Sequence, residues 1–268
     1  MKLRQEIKAL ARQAMREQRA TAILLTLLLM LMSFVLWGLD TLVTRTIELG
    51  AIYWVIYAAR MLVWWVMMVN MLGEYIKRYK REQASVGALF TGFGVNFWRK
   101  LGGVAWMIFW LSIWALPAIV ASILNLGGFV VFLCTIPALA RVFAYIFTFN
   151  ILADCPDVKA TQALGISVRI TKGYRGDVFI FHLSFVGWYL LLGLPISIIQ
   201  VLTGVPFMFT FVANYVIWSL YAFPYFYTAF AGLYLELRDQ ALRGGVVTYE
   251  ELGLPEQVST PHENIIIR

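Results

Sequence analysis

Charged residues and cysteines are scarce in this sequence. Asp, Glu, Lys and Arg make up 14% of the 268 residues, and there are two cysteines and two histidines. Soluble domains carry about 25% charged residues, so the composition excludes a soluble enzyme, a disordered chain and a disulfide-stapled secreted domain. The sequence also lacks a Gly-rich phosphate loop, a metalloprotease helix signature and a nucleophile–His–acid set. We therefore expect no enzymatic activity, no cofactor and no metal.

Apolar residues make up 61% of the chain and lie in long runs without charge. A helix needs roughly 20 apolar residues to cross a bilayer. Two of the runs, 101–140 and 178–235, are long enough for two spans each, with turns at Asn125-Leu126-Gly127-Gly128 and Thr203-Gly204-Val205-Pro206. The sequence predicts an all-α polytopic membrane protein, a single domain over 1–235 with six transmembrane helices in three hairpins. The predicted spans are at about 20–39, 49–73, 101–124, 129–152, 178–202 and 207–235.

Basic residues fall almost entirely on one side of these predicted spans. With the N-terminus in the cytoplasm, 19 of the 22 Lys and Arg residues are cytoplasmic, Arg45 is outside, and Arg60 and Arg141 lie within spans. This is the positive-inside pattern, and it predicts that both termini are in the cytoplasm. Lys and Arg next to a membrane are attracted to anionic lipids. We therefore expect membrane lipids as partners, and no nucleic acid.

A basic amphipathic segment precedes each predicted hairpin, at about 1–19, 83–100 and 157–173. Such segments are typical of helices that lie in the membrane interface. The similarly placed pairs Ala9-Leu10, Ala88-Leu89 and Ala163-Leu164 suggest three repeats around a pseudo-threefold axis. The alternative is that the positive-inside bias alone puts a basic segment before each odd-numbered span. Residues 236–268 are predicted to be a partly disordered cytoplasmic tail, with one short helix starting near Thr248.

The region from residue 136 to 157 resembles the signature of a known membrane family. The resemblance consists of Ile136-Pro137, Arg141, Tyr145 and Ile151-Leu152-Ala153-Asp154-Cys155-Pro156-Asp157, and it continues through Ala163-Leu164, Ser167, Thr171-Lys172-Gly173, Leu183–Trp188 and Pro224-Tyr225. These residues are similar to the bacterial domain-of-unknown-function family numbered 975, although Ala138 stands where that family commonly has glycine. The family has no settled activity. The resemblance implies a multi-pass protein of a bacterial, Gram-positive plasma membrane and supplies no function.

Two arginines near the middle of predicted spans are the main candidates for a function. Arg60 and Arg141 have no Asp or Glu in any predicted span to neutralise them, and a central arginine is costly in a bilayer. One interpretation is that carbonyls, aromatic faces and water satisfy them. The other is that they bind an anionic lipid headgroup or a small anion, with the Tyr145 hydroxyl as a further contact.

Four more titratable residues fall near one predicted membrane surface: Asp154, Asp157, Asp177 and His182. Their spacing matches no metal-ligand motif. Pro156 is typical of a helix start, and carboxylates are stabilised at the positive end of a helix. We expect Asp154 and Asp157 to cap the helix at 157–173. The alternative is an interfacial acidic and histidine cluster with a binding role.

The leading hypothesis is a non-enzymatic membrane protein that binds an anionic lipid headgroup, or another anion, at the intramembrane arginines. One alternative is a transporter or channel-like protein in which the same arginines line a passage. Another is a scaffold or accessory subunit of a membrane complex. A homo-oligomer or a membrane-protein partner is compatible with each of these hypotheses.

Overall fold

The computed structural model describes residues 4–46, 50–94 and 96–255. Every regular element in these ranges is a helix, which confirms the predicted all-α class. The helices are α1 (Arg4–Glu17), α2 (Arg19–Thr46), α3 (Gly50–Tyr79), α4 (Ala88–Thr91), α5 (Phe97–Ile123), α6 (Gly128–Tyr145), α7 (Thr148–Asp154), α8 (Ala160–Ile170), α9 (Arg175–Thr203), α10 (Phe207–Leu220), α11 (Ala222–Arg243) and α12 (Tyr249–Leu252).

Several helical stretches have the length and composition of membrane spans. Among the described residues, four qualify directly: Arg19–Leu39, Tyr53–Tyr79, Phe97–Ile123 and Gly128–Asp154. Two bent pairs qualify if each is one span, namely the two halves of α9, bent by 43°, and α10 with α11, bent by 48°. Four to six long apolar helices fit a membrane-embedded protein, and the exact layout of six spans in hairpins stays a prediction.

Both predicted interhelical turns are confirmed. The chain turns between α5 and α6 through Gly127, at φ 85°, and between α9 and α10 through Gly204, at φ 66°. Glycine adopts positive φ without the steric penalty that a Cβ atom brings. At both places the sequence signal is local, so the turn does not depend on distant contacts.

A break that the sequence did not predict separates α6 from α7, inside the predicted span 129–152. The Ser167 hydroxyl of α8 donates to the carbonyl of Ala144 at 2.9 Å and accepts from the amide of Phe147 at 3.2 Å. Ser167 is fully buried. Because this side chain satisfies backbone groups that a continuous helix would pair internally, the helix is interrupted without leaving them unpaired.

The last predicted span, 207–235, is likewise divided. Tyr221 separates α10 from α11, so Pro224 falls in the first turn of α11. A proline is tolerated there because the amides of the first turn have no partner within the helix. A continuous helix would have lost the hydrogen bond of residue 224.

The described core lies at one end of the structure, which we call the basic end. It includes α1, α7, α8 and α11, the starts of α2, α5 and α9, and the C-terminal half of α3. Fully buried residues there include Ile7, Ala11, Leu25, Met67, Met71, Tyr75, Phe147, Ile151, Leu152, Ala163, Ile166, Ala229, Leu233 and Tyr234. The apolar side of α1 is covered by α3 and α11. It therefore packs on protein, where the sequence predicted contact with the membrane interface.

The three predicted interfacial segments fold differently from one another. The first forms α1, with 14 residues, and the third forms α8, with 11. The second prediction is wrong in extent, since 83–100 contains only the four-residue α4 and the start of α5. The pseudo-threefold repeat stays a prediction.

The predicted boundary between the membrane domain and the tail falls inside a helix. α11 continues past residue 235 to Arg243, and Val247 and Leu252 beyond it are buried against the core. The predicted short helix is confirmed as α12, where the Thr248 hydroxyl accepts from the amide of Glu251 at 3.1 Å. This is an N-terminal cap. Tail residues 256–268 lie outside the described part of the chain.

Large apolar side chains are exposed away from the basic end. They include Phe109, Leu116, Ile119 and Ile123 on α5, Phe129, Phe132, Ile136 and Leu139 on α6, and Leu190, Leu191, Leu194, Ile198, Val201 and Leu202 on α9. Apolar surface of this extent is unfavourable in water, and it is what a helix presents to lipid. The exposed halves thus agree with a membrane-embedded protein.

Candidate functional site

A cleft of about 370 Å³ opens at the basic end between α3, α4, the start of α5 and the end of α7. We call it the polar cleft. Asn70 lies in its wall, and its charged lining residues are Glu74, Lys77, Lys80, Glu82, Lys100 and Asp154.

Helix α3 supplies the largest share of the lining, and its polar residues there lie on one face. Asn70, Glu74 and Lys77 recur at a spacing of three or four residues, which aligns side chains along a helix. Gly92 lies opposite them, after α4. A Cβ atom at Gly92 would come within 2.3 Å of the Asn70 amide, so only glycine allows this close approach.

Lys100 is a half-buried cation with neutral partners. Its Nζ donates to Oδ1 of Asn70 at 2.6 Å and to the carbonyl of Gly92 at 3.3 Å. Asn70 is buried and donates in turn to the carbonyl of Leu89 at 3.0 Å, which fixes its oxygen toward the lysine. No carboxylate within the described residues pairs with Lys100. The cleft therefore contains a positive charge that is positioned but not neutralised.

Glu74 is satisfied by its own surroundings. Its side chain is 4% exposed and forms an ion pair with Lys77 at 2.7 Å. The other oxygen accepts from the amide of Ser85 at 2.7 Å, which ties the loop before α4 to α3. A buried carboxylate with these partners positions the loop and is not free to bind a cation.

Asp154 lies at the centre of a buried ion-pair network. Its side chain is 5% exposed and pairs with Lys80 of the α3 end at 2.9 Å and with Arg238 of α11 at 2.5 Å. The Tyr234 hydroxyl donates to it at 3.2 Å. Arg238 also pairs with Asp239 at 2.7 Å. The network joins three helices that are far apart in sequence.

The predicted capping role of Asp154 and Asp157 is therefore wrong. Asp154 ends α7, and α8 begins only at Ala160, with Lys159 at its N-cap and no side-chain cap. The C-terminus of a helix is its negative end, so a carboxylate there needs cations nearby. Lys80 and Arg238 supply them. Asp157 is exposed.

The same helix end is stabilised by Arg99. Its guanidinium donates to the carbonyls of Leu152 at 2.5 Å, Val158 at 2.9 Å and Cys155 at 3.3 Å. These include C-terminal carbonyls that have no partner inside α7. Cys155 is buried here, and burial together with the Asp154 charge raises the pKa of its thiol to about 11. A thiol of this pKa is unreactive at neutral pH.

The two predicted intramembrane arginines have separate aromatic partners. The Arg60 guanidinium lies 4.8 Å from the ring centre of Tyr57 on α3, and that of Arg141 lies 4.1 Å from the ring centre of Trp114 on α5. Neither has an ion-pair partner among the residues described. A cation–π contact contributes about 0.5–2 kcal/mol, whereas an arginine at the bilayer centre costs at least about 2.5–3.5 kcal/mol. The ring alone does not offset that cost.

Tyr145 is buried in an apolar cluster that also contains Trp114. It lies on the same helix as Arg141, one turn further on. Arg60 is on α3, which packs on α5 and α7, and Arg141 is on α6, which packs on α5, α8 and α9. These contacts do not bring the two arginines together, so a joint anion site stays a prediction.

His182 is not joined to the acidic residues. Its Nδ1 is 2.8 Å from the carbonyl of Val178, and its ring packs against Phe143, Phe181, Phe226 and Phe230. Asp177 lies in the first turn of α9. In the described ranges no three His, Cys, Asp or Glu side chains are arranged to hold a metal ion.

Sequence reasoning missed the residues that shape the polar cleft. Asn70 and Glu74 are a polar pair four residues apart at the end of an apolar run, and this signal was available. It was obscured because the predicted span ended at residue 73, while α3 extends to Tyr79. Lys80, Lys100 and Arg238 resembled ordinary positive-inside residues.

Comparison with known proteins adds no relative. No family model, no curated protein and no solved structure matches the chain. The resemblance to the domain-of-unknown-function family numbered 975 therefore stays a prediction.

Proposed function

We propose that this protein is a non-enzymatic plasma-membrane protein that binds the phosphate of an anionic lipid headgroup in the polar cleft. The observation that carries the proposal is Lys100, a half-buried cation in a cleft of about 370 Å³ whose hydrogen-bond partners are all neutral. An anion is the ligand that neutralises such a charge.

The hydrogen-bonding capacity of Lys100 supports an anionic ligand. An ammonium group has three donors, and Asn70 and Gly92 accept two of them. One donor is left for a phosphate oxygen. Lys77 and Lys80 line the same cleft and each has one carboxylate partner, so each ammonium keeps donors beyond that ion pair.

The position of the cleft favours a lipid as the source of the phosphate. Lys100 lies in the first turn of the candidate span Phe97–Ile123, Lys77 lies in the last turn of Tyr53–Tyr79, and Lys80 follows directly after it. With the N-terminus in the cytoplasm, these residues are at the level of the inner-leaflet headgroups. Each Lys or Arg near an anionic surface contributes about 1 kcal/mol of attraction.

The experiment is native mass spectrometry of the protein from phosphatidylcholine nanodiscs with and without phosphatidylglycerol. We expect Lys100→Gln to weaken phosphatidylglycerol binding at least about tenfold, because a hydrogen bond to a charged group is worth about 1.5–3 kcal/mol. Lys172→Gln is the matched control, since Lys172 is exposed outside the cleft. Equal binding by wild type and Lys100→Gln would refute the proposal.

Two further arms separate the alternatives. Arg60→Gln/Arg141→Gln should keep the bound lipid, and a loss in that variant would favour the arginine pair as the site. Inorganic phosphate should not displace the lipid at millimolar concentration. If it does, the ligand is a free anion, and flux measurements in proteoliposomes then test the transport alternative.

A further inference from the structure

Helices α5 and α6 form a hairpin that is buried mainly near the basic end. Gly103 and Val104 are buried at its base, where α5 packs on α8. Further out, Leu116, Phe132 and Leu139 are about half exposed or more. Arg141 is part of this outer hairpin, and it is partly exposed beside the ring of Trp114.

Arg141 lies at the middle of its candidate span. The span is Gly128–Asp154, so 13 residues separate Arg141 from either end. At the helical rise this is about 20 Å in both directions, which is beyond the reach of an arginine side chain. A lipid phosphate at the membrane surface is therefore not available to this guanidinium, in contrast to the lysines of the polar cleft.

Among the residues that the structure describes, no carboxylate pairs with Arg141. There is no Asp or Glu between Glu82 and Asp154 or between Asp177 and Glu236. Glu74 is buried and paired with Lys77. A second copy of the chain would bring another arginine and no acid, so a homodimer through this hairpin would place like charges together.

We infer that the outer α5–α6 hairpin docks a transmembrane helix of another protein that carries an Asp or Glu near its middle. The carboxylate pairs with Arg141 at the seam between α5 and α6, where Trp114 covers the other side of the guanidinium. Charge complementarity in a low-dielectric medium selects this partner over a purely apolar helix. Ala138, one turn before Arg141, lets a helix backbone approach the seam closely.

The test uses synthetic transmembrane helices of one Leu/Ala host sequence that differ only in a central Glu, Gln or Leu. Their association with the full chain in phosphatidylcholine vesicles is measured by fluorescence energy transfer at mildly alkaline pH. We expect the Glu helix to bind wild type at least about tenfold more tightly than the Gln helix. Equal binding of the two helices would overturn the inference.

Variants locate the effect at Arg141. Arg141→Gln should abolish the preference for Glu, while Arg141→Lys should keep most of it because the charge remains. Arg60→Gln is the matched control, since Arg60 is the other arginine predicted within a span and lies on α3. A preference that survives Arg141→Gln, or that is lost in Arg60→Gln, contradicts docking at this seam. Arg141→Glu should instead prefer a host helix with a central Lys, which a variant that failed to fold would not do.

Discussion

Replacing Asp154 with Asn should destabilise the protein by about 3 kcal/mol, the lower end of the cost of breaking a buried ion pair. The carboxylate is 5% exposed and faces Arg238, which is 12% exposed, and Lys80, which is 33% exposed. Asn keeps the shape and a hydrogen-bond acceptor for Tyr234 but removes the charge. Arg238 then remains nearly buried with Asp239 as its one carboxylate partner. Because this ion pair is retained, we expect a loss of stability at the lower end of the range for a broken buried ion pair.

The two ion pairs of Asp154 should contribute unequally. Lys80 is partly solvated, so its pair with Asp154 should resemble a surface ion pair, at about 0–1 kcal/mol. The pair with Arg238 should contribute most of the loss because both groups are desolvated. Double-mutant cycles of Asp154→Asn with Arg238→Gln and with Lys80→Gln measure the two coupling energies separately.

The assay is unfolding by dodecyl sulfate in mixed micelles, followed by the fluorescence of the 10 tryptophans. Asp157→Asn is the matched control, because Asp157 is exposed and forms none of the ion pairs described here, and it should change stability by less than about 0.5 kcal/mol. If Asp154→Asn is as stable as wild type, or if the coupling to Lys80 exceeds that to Arg238, the account of the network is wrong.

Three further perturbations have defined outcomes. Gly92→Ala places a methyl group 2.3 Å from the Asn70 amide and should both destabilise the protein, by about 1–3 kcal/mol, and weaken lipid binding in native mass spectrometry. Ser167→Ala removes the acceptor of the buried Phe147 amide at the α6–α7 break, whereas the Ala144 carbonyl keeps the Thr171 hydroxyl as a donor at 3.3 Å, and unfolding by dodecyl sulfate should register a loss of about 1–3 kcal/mol. Cys155 is buried and its thiol pKa is raised to about 11, so in the folded protein it should resist maleimide at neutral pH, as read by mass spectrometry, and it should react once dodecyl sulfate unfolds the protein. Rapid labelling of Cys155 in the folded protein would contradict its burial.

Local features of the fold were predictable because their causes are local. Gly127 and Gly204 adopt positive φ within short turn sequences, and Thr248 caps α12 three residues before the amide it accepts from. The break between α6 and α7 could not be predicted in this way. It depends on Ser167, which is 20 residues from the Phe147 amide that it accepts from.

The candidate sites also differ in whether the sequence alone reveals them. Arg60 and Arg141 are visible in the sequence because a charge in an apolar run is unusual. The polar cleft is not visible in the sequence. Lys100 stands out only in the tertiary structure, where its partner on α3 is the neutral Asn70 and no described carboxylate pairs with it. A count of charges cannot show which cations are neutralised and which are left without a counter-ion.

By itself the sequence determined a helical protein whose long apolar runs fit a membrane, since the hydrophobic length of a segment and the turn chemistry at its ends are properties of consecutive residues. Only the tertiary structure decided which charges meet. Asp154 pairs with Lys80, which is 74 residues away in the sequence, and with Arg238, which is 84 residues away. Pairing between residues so far apart in sequence depends on how α3, α7 and α11 pack. A buried charge is tolerated only where that packing places an opposite charge next to it.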